Sequence, residues 1–158
     1  MPRYYASLDA LERAVKKSLK GTLKNEVAQA VEKVTKERIQ AEVYGAYTPS
    51  VYERRGELRN AGFAAEVFDD ADGVALRTYS AAKPNDSLSK PPVAYRGPDG
   101  QFAQWINDGN VPNIFNPRKY IWETSRPFYT SAANELDSGG AVMDALMAGM
   151  RKRGYKLM

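Results

Sequence analysis

The sequence contains no cysteine and no histidine. Those two absences exclude a wide band of chemistry. A Ser-His-Asp triad, a Cys-His dyad, haem or iron–sulfur ligation and a His/Cys zinc site all need residues that are missing. So is the side chain that most often moves protons near neutral pH. Carboxylates, lysines and tyrosines remain, but no acidic pair stands at a spacing that marks a hydrolytic pocket. With no disulfide to form, nothing calls for an oxidising compartment.

Long apolar runs are also missing. No stretch nears the roughly 20 apolar residues that cross a bilayer, and MPRYYASLDALERAVKKSLK has no apolar run of signal-peptide type. The expectation is a cytosolic protein without a membrane partner. The charge excess is small, 23 Lys and Arg against 19 Asp and Glu, a formal +4. That total does not by itself mark a nucleic-acid binder. Gly-rich phosphate loops, HExxH and GxSxG are absent. Asp69, Asp70 and Asp72 hint at a calcium loop, but Phe68 occupies the first ligand position and Tyr79 the place of the closing Glu. The expectation is no metal, no cofactor and no catalysis.

The 158 residues (17.6 kDa) are read as one domain in four stretches. Residues 7–45 read as one long helix, capped by Ser7 with Asp9 in its first turn. Leu8, Leu11, Val15, Leu19, Leu23, Val27, Val31 and Val34 form its apolar stripe, with Glu12–Lys16 and Glu32–Lys36 as supporting pairs. From Leu11 to Val31 every step is four residues, and each overshoots a turn by about 40°. The stripe therefore winds. Either the helix breaks at Gly21, or different surfaces cover its two halves. A helix of this length measures about 55 Å, against about 40 Å for a compact chain of this size. A projecting half would pack on a neighbouring subunit.

Residues 46–80 read as a Pro-containing turn and then a β-hairpin, FAAEVFDD and GVALRTYS alternating with period two around DDADG. Residues 81–118 are rich in Pro, Gly and Asn and read as a long irregular arm. Within it, 81–104 forms an extended segment ordered by a partner, with Pro91, Pro92, Val93 and Tyr95 at its centre. QFAQWIN is the exception, with Phe102, Trp105 and Ile106 at helical spacing and Trp105 as a packing anchor. Residues 119–158 read as a strand at KYIWET and a helix opened by Ser125 and Pro127. A break follows at Gly139–Gly140, then a second helix stopped at Gly154 and a short terminal strand, YKLM. The fold class expected is α+β: a small antiparallel sheet packed by the long N-terminal helix and C-terminal helices.

Two basic patches stand out. Arg151, Lys152 and Arg153 in the last turn of the final helix, with Lys156 just beyond it, complement its C-terminal end. Arg54, Arg55 and Arg59 lie beside Tyr47 and Tyr52, a composition that suits a protein interface as well as a nucleic acid. A nucleic-acid-binding accessory protein is therefore the alternative reading.

The stretch AYTPSVYERRGELRN (46–60) resembles the Tyr-x-Pro-x-x-Tyr-x-Arg-x-Gly-x-Leu segment of small tail-component proteins of long-tailed phages. A WIxxG piece (Trp105, Ile106, Gly109), an Arg-Pro-Phe (126–128) and an ALxxGxxxxGY-like tail (Ala145, Leu146, Gly149, Gly154, Tyr155) follow in the order of that family. The family, of minor tail protein Z type, contains neck, head–tail joining and tail-completion proteins. The resemblance implies a non-catalytic virion protein forming a ring, sixfold before twelvefold, beside head–tail adaptor and tail-tube or tail-terminator proteins. It implies contact with DNA only where the genome passes the lumen, and host cytoplasm as the location before assembly.

Overall fold

Ser7 starts the first helix as the sequence predicts. Its backbone is extended, and its hydroxyl accepts the Ala10 N–H at 3.2 Å. In the computed structural model, residues 5–46, 56–71, 73–82, 101–109, 111–112, 120–122 and 124–156 are described. The elements are α1 (Leu8–Thr22), α2 (Ala28–Ile39), α3 (Glu57–Asn60), β1 (Phe63–Asp70), β2 (Gly73–Ser80), α4 (Gln101–Asp108), β3 (Val111–Pro112), β4 (Tyr120–Trp122), α5 (Phe128–Ser138) and α6 (Ala141–Lys152). β1 pairs with β2, and β3 with β4 in antiparallel register, Val111 opposite Trp122 and Pro112 opposite Tyr120. The class is α+β.

The long helix does not break at Gly21. It leaves α geometry two residues later, in a π-turn at Leu23–Val27, and again at Gln40–Tyr44. A π-turn holds more residues than 3.6, so a four-residue step within it winds less than in an α-helix. The widened turns thus take up part of the overshoot in the apolar stripe. Gly21 has a different use: a Cβ there would lie 3.2 Å from the Arg153 Nε.

The chain forms two compact units, each assembled from segments far apart in sequence. The first takes Met1–Val31, Ala65–Thr78 and Leu136–Met158. Within it α6 packs on α1 and on the first π-turn. The approach is close. Thr22 is fully buried, and a Cβ on Gly149 would run into its methyl group. The hairpin is tied to α1 at its tip, where Asp69 meets Lys16 at 2.8 Å and Lys20 at 2.7 Å. Lys16 thus makes its ion pair with Asp69, and Glu12 of the expected pair adds a smaller favourable charge interaction.

The second unit takes Glu32–Ala64 and Tyr79–Glu135. Its core joins Ile39, Val43, Leu58, Ala82, Ala103, Ile106 and Phe128, with Tyr44, Phe63, Phe102 and Tyr129 packed around it. Arg38 and Glu135 link α2 to α5 at 2.6 Å, and Lys36 meets Glu32 at 2.6 Å as predicted. Residues 101–104, where the expected arm overlaps the expected QFAQWIN helix, belong to that helix, α4, where Ala103 is fully buried. α4 is amphipathic, and its apolar face has a core to cover. No strand includes Tyr155 or Lys156. Tyr155 follows Gly154 (φ +89°) in a Schellman turn, its N–H bonding Met150 O at 3.1 Å while the Gly154 N–H bonds Arg151 O at 2.9 Å.

Candidate interface surface

The joint after the second π-turn carries Arg59, the interface candidate that lies within the described residues. Tyr47, Tyr52, Arg54, Arg55, Pro91, Pro92, Val93 and Tyr95 lie outside them. Gly56 opens the joint at φ +72°, and its carbonyl accepts the Asn60 N–H at 2.8 Å. Leu58 is buried in the core, and its N–H donates to the Tyr44 hydroxyl at 3.1 Å. Arg59 then stands exposed between fixed neighbours. Its Nη1 donates to Gln40 Oε1 at 2.7 Å, its Nε to Asn60 Oδ1 at 3.3 Å, and its guanidinium lies 5.9 Å from the centre of the Tyr44 ring. A guanidinium held this way is suited to meet a carboxylate in a planar, bidentate contact.

Two pieces of the tail-component resemblance come together as one lock. The Asn107 carbonyl accepts the Ser125 hydroxyl at 2.7 Å and the Arg126 N–H at 3.0 Å. Its side-chain oxygen accepts the Tyr129 N–H at 3.0 Å. The cap of α5 thus comes from α4, and Ser125, expected to cap it, serves as a donor instead. Gly109 closes the lock. It has φ +74°, and a Cβ there would sit 2.5 Å from the Ser125 N. Ile106 and Phe128 pack in the same core, while Trp105, expected as a packing anchor, is half-buried. WIxxG and Arg-Pro-Phe are therefore structural halves of one joint.

The C-terminal basic cluster is divided. Arg153 turns inward, its Nη1 donating to Glu26 Oε2 and to the Gly149 carbonyl, each at 2.9 Å. Lys152 stands 3.6 Å from Glu26 Oε1, while Arg151 and Lys156 are exposed. Burial pushes the Glu26 carboxyl up. Its own backbone N–H, the hydrogen bond from Arg153 and the charges of Arg153 and Lys152 outweigh that and hold it below the ordinary glutamate range. The hydrogen bond from Lys16, then that from Lys20, holds Asp69 below the ordinary aspartate range. Asp69, read in the sequence as part of a solvated turn, is thus an ion-pair partner. Among the described residues, no group of three or more Asp or Glu is placed to hold a metal ion. Among them, too, no helix is long and apolar enough to cross a membrane.

Comparison with known families bears on the same span. The YomN family model matches residues 7–152, from the Ser7 cap to the last residue of α6. The chain belongs to the YomN family. That name is of a phage-derived, prophage type and associates the chain with phage. No curated protein and no solved structure matches this YomN-family chain. The Asn107 cap and the Glu26–Arg153 pair were not singled out in the sequence, because each joins residues far apart along the chain. Exposed Leu8 and Leu11 were visible there only as the start of the apolar stripe.

Proposed function

We propose that the chain is a structural virion protein. Copies form a ring at the head–tail junction or the upper end of the tail of a phage or phage-like particle. The observation that carries this reading is the joining of the WIxxG and Arg-Pro-Phe pieces through Asn107 and Gly109. The residues that resemble tail components are spent on holding a rigid subunit. The phage association of the YomN family supports the same reading. Most homo-oligomers have closed symmetry, a head-to-tail contact gives a ring when its rotation closes, and the resemblance favours six subunits over twelve. The neighbours are the head–tail adaptor above and the tail-tube or tail-terminator protein below. DNA meets the ring only in its lumen. Quantitative mass spectrometry of purified particles tests the proposal, with electron microscopy to place the density. The expected result is a ring complement of copies at the neck or upper tail. Absence from particles, or a single copy, overturns it.

A further inference from the structure

Within the first unit, α6 covers α1 only part of the way. Gly149 meets Thr22, Arg153 lies across Gly21, and the Tyr155 hydroxyl donates to Ser18 Oγ at 3.2 Å. α6 therefore runs antiparallel to α1 and stops, at its Schellman turn, level with Ser18. The hairpin's hold ends nearby, through Asp69 on Lys16 and Lys20. The apolar stripe of α1 continues past both. Leu8 is 82% exposed and Leu11 37%. With Val15 they follow three- and four-residue steps on one helix face, flanked by the exposed carboxylate of Glu12.

A second exposed stripe runs along α6. Met143 is 59% exposed, and half-buried Met147 and exposed Arg151 follow at four-residue steps, with exposed Ala148 alongside. Apart from exposed Asp144 beside Met143, this stripe is apolar at its start, and it is cationic at its end. The two stripes match in length, about 11–12 Å of helix each, and in charge: one adds a carboxylate to its apolar face, the other a guanidinium. They cannot meet within one chain, because antiparallel α6 carries Met143 away from Leu8.

We propose that the first two turns of α1 in one copy dock on the outward stripe of α6 in the next copy. Leu8 and Leu11 lie against Met143 and Met147, and Glu12 lies beside Arg151. The contact joins two different surfaces, so it repeats head to tail, the kind of contact that builds a ring when its rotation closes. The inference rests on the ring proposed above and names the surface that builds it.

The cysteine-free sequence supplies a clean background for the test. Leu11→Cys with Met143→Cys is treated with a short bis-maleimide, both in particles and as concentrated full-length chain. Leu8→Cys with Met143→Cys serves as a second pair. A covalent ladder beyond dimer, absent from each single-cysteine variant, is expected in at least one sample. Glu12→Arg in that background lowers the ladder about tenfold, and adding Arg151→Glu restores it. Circular dichroism checks that each variant remains helical. Monomer alone in both samples, dimers from Leu11→Cys alone, or a ladder indifferent to Glu12→Arg overturns the proposal. A ring complement of copies without a ladder refutes this contact and leaves the function standing. A ladder from a chain absent from particles does the reverse.

Discussion

Gly109 and Gly140 share a left-handed backbone, at φ +74° and +69°, but not the same surroundings. A Cβ on Gly140 meets nothing within 4 Å, whereas one on Gly109 meets the backbone of Thr124 and Ser125. Gly140→Ala therefore carries the conformational cost alone, about 1–2 kcal/mol. Gly109→Ala adds a backbone collision, and its expected cost is about 3 kcal/mol or more. Thermal unfolding of the two variants checks the difference, and equal losses would remove the close approach from the account. Asn107 offers a second residue-scale test. Asn107→Ala strips the Tyr129 N–H of its acceptor and costs about 1–2 kcal/mol. Asn107→Asp keeps an oxygen in place and is expected to lose less in chemical denaturation.

Between elements, the pair that binds α6 to the first π-turn gives the stability a pH signature. Glu26 titrates lower in the folded chain than in the unfolded one. As pH falls, the unfolded state takes up the proton first. The stabilisation is thus whole above the ordinary glutamate pKa of about 4.3 and is lost as pH drops through the lowered folded value. Glu26→Gln should flatten that part of the acid limb in thermal melts taken across the acidic range. An unchanged acid limb would assign the pH dependence to other carboxylates. What the sequence announced about the elements follows the reach of the signals. Ser7, the alternation of 63–70 and 73–80, the spacing of Phe102, Trp105 and Ile106, and Gly154 act on neighbours a few residues away, and each marked its element correctly. The π-turns left no such mark, since a widened turn is invisible in a list of apolar steps. Arg153 read as a surface cation because Glu26, its partner, lies 127 residues away.

For the whole molecule, the sequence exposed the candidate interface by composition, as arginines beside tyrosines, but not by geometry. Arg59 shows what composition omits: two amide oxygens and a ring hold the guanidinium in place. If that arginine meets a carboxylate on a neighbour, Arg59→Glu should block particle assembly while leaving the melting temperature of the isolated chain nearly unchanged. Normal infectious particles would remove Arg59 from the interface. The double variant Arg54→Glu with Arg55→Glu is expected to behave in the same way, and the same infectivity assay checks it.

The second π-turn behaves like a shift in a reading frame. Each residue added to or taken from a helix turns everything beyond it by about 100°. Ile39 precedes this turn, while Val43 and Tyr44 fall within it, and all three face one core. Deleting Ala41 should close the widened turn to ordinary α geometry. Val43 then rotates off the core, and Tyr44 loses the Leu58 N–H. A one-residue deletion here should therefore unfold the second unit more thoroughly than Val43→Ala, as hydrogen exchange across residues 32–64 can report. Reinserting an alanine within the next turn should restore the phase, with only the residues between the two edits displaced. Helix length in this chain is thus constrained modulo one turn, and tolerated insertions and deletions should come in compensating pairs.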